Sequence, residues 1–119
     1  MDADCFLGEH LDTLPLGGAW WVGFDGQTPV CYAGLARAGK KWSLTRAGVL
    51  ASHRGHGLQR RLVRARERHA RRRGATQVSS YTHAGNYPSA NTLISCGYRL
   101  TKHWRSGGST FLTWSKDFA

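Results

Sequence analysis

The stretch from Thr45 to Arg64 constrains this chain more than any other. It reads as the end of a strand at Val49-Leu50, a bend at Arg54-Gly55-His56-Gly57 and the first turns of a helix. Leu58, Leu62, Ala65 and His69 then recur at helical spacing, so they form the face that packs on a sheet. Two glycines just before a helix let the backbone take dihedrals other residues resist and let it approach a ligand closely. A helix start also carries unpaired N–H groups and the positive end of the helix dipole. Together these favour an anion, and a pyrophosphate fits the run Arg54, Gly55, His56, Gly57, Leu58, Gln59, held chiefly by amides. Arg60 adds a charge-assisted contact or is simply a solvated arginine. His56 is expected to be exposed and has no catalytic role.

This stretch resembles the GCN5-related N-acetyltransferase family, whose pattern is Arg or Gln, two variable residues, Gly, one variable residue, then Gly or Ala. Val49-Leu50-Ala51 stands where that family often has Val-Leu-Pro. Gly55 and Gly57 take the glycine positions, while Ser52 stands where the leading Arg or Gln would be. A second block, Asn86-Tyr87-Pro88-Ser89 through Cys96-Gly97-Tyr98, resembles the family's Asn, short helix and Gly-aromatic signature. The likeness runs over residues 19 to 118 and suggests a short member of bacterial or phage type.

The resemblance implies acetyl-CoA as co-substrate and direct acetyl transfer to an amine. It implies that backbone N–H groups at Val49 and Leu50 polarise the thioester carbonyl, and that Asn86 contacts the cofactor arm. Asn86 is equally a helix N-cap, and Ser89 is a further cofactor contact or a plain helix residue. The family's frequent acid, a Tyr seven residues after that Asn, is replaced by Leu93. The third strand has no carboxylate between Trp42 and Leu50 to act as a base. His83 is the first candidate, because a His titrates near neutrality. Tyr81 follows, then Asp25, which also suits a hairpin turn. An amine that arrives neutral needs no protein base.

The fold class expected is α/β (α+β). It is a mixed, mostly antiparallel twisted sheet with splayed central strands, a long helix after the glycine turn and a short second helix. Residues 2 to 14 read as a short helix with Cys5, Phe6, Leu7 and Leu11 on its apolar side, broken by Pro15. Strands are expected over 19–25, 29–37 and 42–50, the first two joined by an Asp-Gly hairpin signal. A helix over 57–73 ends at Gly74, and a strand over 76–83 follows. Asn86 caps a short helix that ends at Gly97, and strands over 98–104 and 110–116 close the chain. The tryptophans, Trp114 among them, are expected to pack the core and the sheet faces.

A chain of 119 residues with 40 % hydrophobic content suits one domain, residues 1–119, with a shortened N-terminal section. No apolar run reaches the roughly 20 residues of a membrane span. The acidic opening Met-Asp-Ala-Asp is unlike a secretory signal. Cys5, Cys31 and Cys96 show neither metal spacing nor a disulfide framework, so a reducing cytoplasm and no metal are expected. The formal charge is +10, concentrated between Arg54 and Arg73. That run is either a solvated helix face or a patch for nucleic acid or an acidic partner. On that second reading the chain is a catalytically weak binding module. The acceptor is expected to be a small molecule or a protein. A sheet edge after the last strand leaves a homodimer open.

Overall fold

Alternating burial builds the first half of the molecule. The structure is a computed structural model and describes the backbone of residues 6–14 and 18–118 and the side chains of residues 18–118. Strand β2 (Gly18–Asp25) buries every second residue, placing Ala19 and Trp21 on one face and Trp20 and Val22 on the other. It returns through Gly26-Gln27 into β3 (Thr28–Ala38), which turns at Gly39-Lys40 into β4 (Lys41–Val49). These three strands form an antiparallel meander.

Helix α1 (Leu58–Arg72) follows the glycine bend and packs on β3 and β4. Its four apolar-face residues Leu58, Leu62, Ala65 and His69 are all buried. The His69 ring meets Trp21 edge-on at 5.1 Å and Trp42 at 6.3 Å. Gly74, at φ +91°, takes the left-handed turn that ends the helix. Strand β5 (Gln77–His83) then lies parallel to β4, as a strand–helix–strand crossover requires. Helix α2 (Tyr87–Ser95) begins at Asn86, whose Oδ1 accepts from the Ser89 amide at 3.3 Å. Strands β6 (Arg99–Ser106) and β7 (Ser109–Asp117) form the closing hairpin. Trp114 is buried on β7, and its Nε1 donates to Thr82 Oγ1 at 2.9 Å.

Three expectations are corrected. Phe6–Leu14 is not helical: it is strand β1, antiparallel to β2, while residues 2 to 5, Cys5 included, lie outside the described residues. Its apolar spacing fits a helix, but β2 offers an unpaired edge, and pairing along it overrides local preference. The final strand is not at an edge either. The sheet order is β1-β2-β3-β4-β5-β7-β6, so β7 lies inside and β6 forms the free margin. Finally, Arg66 does not belong to a solvated basic run, since it is 2 % exposed.

Candidate active site

The site begins where β4 and β5 part. Their parallel pairing covers Trp42↔Val78, Ser43↔Ser79 and Leu44↔Ser80 and goes no further. At that point β4 carries a bulge: Ala47 pairs with Ala33 and Leu44 with Leu35, so Thr45 and Arg46 together face Gly34. A bulge of this kind bends its strand and ends regular pairing.

Arg66 supports the bulge from α1. Its Nη1 donates to the Gly34 carbonyl at 3.1 Å and to the Thr45 carbonyl at 3.5 Å. Its Nε donates to the Leu62 carbonyl at 3.1 Å. Burial lowers this guanidinium to about 10, against the opposing pull of Tyr98 and Glu67. Tyr98 is raised well above the usual phenol range, first by burial and then by Glu67. Glu67 is itself paired with Lys116, 3.1 Å from its Oε2.

The backbone beyond the bulge has a definite orientation. Leu50 N donates to Val30 O at 2.9 Å, which makes that cross-strand pair a hydrogen-bonded one. Bonded and non-bonded pairs alternate along an antiparallel ladder. Therefore Gly48 faces β3 with its polar groups, while Ala47 and Val49 turn theirs the other way, into the gap left by β5. The Val49 carbonyl accepts from Arg54 Nε at 3.1 Å. The Val49 and Ala47 amides point toward an edge with no strand on it, the arrangement that an extended, amide-bearing chain completes.

At the top of the gap lies the glycine bend. Gly55 and Gly57 sit at φ +79° and +80°, where L side chains are strained, and a Cβ on either would meet nothing within 4 Å. These glycines therefore serve the backbone path rather than internal packing. Gly57 is the N-cap of α1, with no side-chain cap and no acidic residue in the first turn. The first-turn amides are left for an anion.

The gap and the bend enclose a cleft of about 870 Å³. Of the residues expected to bind a cofactor, Val49, Arg54, Gly55, Gly57, Leu58, Gln59, Arg60, Asn86 and Ser89 line it, as do Tyr81 and His83. Leu50 and His56 do not line it. The Leu50 amide is engaged by β3 and its side chain is 51 % exposed, so it is not turned to a thioester. Asn86 uses Oδ1 as a cap, which leaves the Nδ2 hydrogens for a ligand. His83 Nδ1 accepts from the Gly85 amide at 3.0 Å. In its neutral form the ring then carries its hydrogen on Nε2, so it presents a donor rather than a base. Tyr81 is 58 % exposed on β5, its ring edge-on to Trp104 at 6.4 Å.

Three cleft residues escaped the reading of the sequence. Arg66 stands four residues after Leu62 on the helix, and that spacing was the available signal. Arg46 lies on the bulge. His53 stands between Ser52 Oγ, 2.8 Å from Nδ1, and Asp25 Oδ2, 2.8 Å from Nε2. Asp25 is thus more than a hairpin residue: it ties the cleft loop to the end of β2. Among the described residues no group of three or more His, Cys, Asp or Glu side chains is placed to hold a metal ion. Nor is any helix long and apolar enough to cross a membrane. Cys31 and Cys96 are buried.

Known proteins share this fold. The family model "Acetyltransferase (GNAT) family" matches residues 3–98, and the chain belongs to that family. No curated protein matches it. Among solved structures, a GNAT family acetyltransferase from Elizabethkingia anophelis with acetyl-CoA bound superposes with a TM-score of 0.81 at 8 % identity, over 98 % of this chain and 100 % of that one. An acetyltransferase from Bacillus anthracis str. Ames, in complex with acetyl coenzyme A, gives 0.80 at 12 % identity. It is matched over 86 % of this chain, which spans 63 % of that protein's length. Ribosomal-protein-alanine N-acetyltransferase from Brucella melitensis gives 0.76 at 22 % identity, over 86 % and 70 % of the two chains. At these identities the likeness establishes the fold.

Proposed function

We propose that this chain transfers the acetyl group of acetyl-CoA to an amine. One observation carries the reading: the Val49 and Ala47 amides turn into the β4–β5 gap, and that gap ends at an uncapped helix start preceded by two left-handed glycines. The amide-bearing arm of the cofactor pairs with β4 as an extra strand would, and its pyrophosphate rests on the first turn of α1. Arg54 and Arg60 supply positive charge beside it. Asn86 Nδ2 and Ser89 reach the arm from α2.

In the reaction the amine nitrogen attacks the thioester carbonyl carbon, the C–S bond breaks, and the CoA sulfur leaves as a thiolate. The nitrogen gives up one proton and the thiolate gains one. A main-chain N–H at the gap stabilises the oxyanion. The Val49 amide takes that role. The Tyr81 hydroxyl donates to the departing sulfur, and His83 Nε2–H supplies a second donor. Among the described residues no carboxylate lines the cleft, and the amine gives its proton to water.

Isothermal titration calorimetry with CoA tests this directly. Saturable one-to-one binding is expected. A folded protein that takes up no CoA would reject the reading.

A further inference from the structure

We propose that the outer face of α1 is a docking surface for the phosphodiester backbone of a nucleic acid. The observation is a pattern without exceptions. Between Arg60 and Arg73 every exposed position is arginine: the pair at 60 and 61, then Arg64, Arg68 and the run 71 to 73. Every other position in that span is buried against the sheet or α2.

Such a face works against the helix that carries it. Like charges three or four residues apart, as in Arg60–Arg64, Arg64–Arg68 and Arg68–Arg72, each cost a few tenths of a kcal/mol. Cations near the first turn also oppose the helix dipole. An exposed face maintained only for solubility mixes both signs. Here the sole acid on α1, Glu67, turns inward to Lys116.

The chemistry selects the partner. Arginine presents a planar fork that matches phosphate oxygens in pairs, which lysine does not. The stripe from Arg61 to Arg72 is about 16 Å long at 1.5 Å per residue, roughly five phosphate steps along one strand of a duplex. No exposed apolar residue interrupts it. A protein partner is usually held by aromatic or aliphatic anchors at the centre of an interface, and this face has none. A polymer of uniform negative charge is the better fit. The stripe meets the cleft only at Arg60, so docking there leaves the cofactor groove open.

The test is fluorescence anisotropy with a labelled 20-base-pair RNA duplex, the matching DNA duplex and a single strand, each titrated across salt concentrations. The protein should bind at least one of them, with log Kd linear in log salt; the tightest binder tells RNA from DNA. The triple variant Arg64→Gln, Arg68→Gln, Arg72→Gln should flatten the salt slope by about two to three and weaken binding roughly tenfold or more. The corresponding triple Lys variant should keep most of the slope. CoA affinity, read by calorimetry, should be unchanged in both. Arg68→Glu alone, at an exposed site, should also weaken binding if the triple variant does not fold. The proposal is overturned if no nucleic acid binds at low salt, or if the glutamine variant leaves slope and affinity intact. Polyglutamate competing as well as RNA or DNA at equal charge concentration would overturn it too, and would assign the face to an acidic protein.

Discussion

Nη1 of Arg66 stands 3.1 Å from the carbonyl oxygen of Gly34, directly beneath the bulge of β4. A strand that bulges leaves carbonyls without ladder partners, and a buried carbonyl left unpaired is costly. The helix supplies the missing donor. The gap between β4 and β5 thus depends on one side chain buried under it, and the cleft inherits that dependence.

Arg66→Met keeps most of the volume and removes the donors to Gly34 and Thr45. Each buried acceptor left unsatisfied costs about 1–3 kcal/mol, so a loss of about 3 kcal/mol is expected in urea denaturation. Part of this is returned because no charge need be buried any longer. CoA affinity should fall with it, since the bulge sets the course of Ala47 and Val49. A variant as stable as wild type would show that the bulge holds without Arg66.

Gly57→Ala addresses the bend. At φ +80° an alanine strains the backbone by about 1–2 kcal/mol, although the added methyl meets nothing. The expected result is a CoA Kd roughly tenfold higher, read by calorimetry. Gly26→Ala is the control: Gly26 has φ +63° and equally open surroundings, but it lies in the β2–β3 turn. It should lose similar stability and keep its CoA affinity. Equal loss of affinity in both variants would mean that general destabilisation, rather than the bend, is being read.

These two sites differ in how far the sequence revealed them. The glycine bend was legible because its chemistry is local: two glycines, a helix and no acidic residue in the first turn lie within a few positions. The Asn86 cap was legible for the same reason. Arg66 was hidden among arginines of identical type, and only its place beneath a bulge distinguishes it. That bulge depends on pairing between β3 and β4, which no short window of sequence contains. The His53–Asp25 contact joins residues 28 apart. Strand β1 was misread because the partner edge decided its form. His83 was found by residue type, but the Gly85 amide that fixes its tautomer was not visible in a list of residues.

Asp25→Asn tests the tie between the cleft loop and β2. The pair is partly exposed, so its own contribution to stability is below about 1 kcal/mol, and the melting temperature should barely move. Its effect should appear in binding. With the charge gone, the amide oxygen holds His53 more weakly and the loop carrying Arg54 and Gly55 is less confined. A CoA Kd about threefold higher is expected, most of it in a faster off-rate. Ser52→Ala should show a smaller change of the same sign. No change in either variant would leave the Ser52–His53–Asp25 chain as a surface contact without bearing on the cleft.

Tyr81→Phe tests the proton path. The phenylalanine keeps the ring and its edge-on contact with Trp104, and removes only the hydroxyl. If that hydroxyl donates to the leaving thiolate, kcat should fall by about 10²-fold with little change in CoA affinity. A thiolate of pKa about 8.5 is a fair leaving group even unaided, so activity should not vanish. A better leaving group separates this role from a structural one: with an aryl thioester of low thiol pKa the Phe variant should recover much of its rate. Removing the hydroxyl from a residue that merely positions the acceptor would slow both thioesters alike. His83→Ala should fall between wild type and Tyr81→Phe, because a neutral Nε2–H donor polarises but transfers no proton. A loss of activity in His83→Ala larger than in Tyr81→Phe would instead return the basic role to His83 and require its bond to the Gly85 amide to break during turnover.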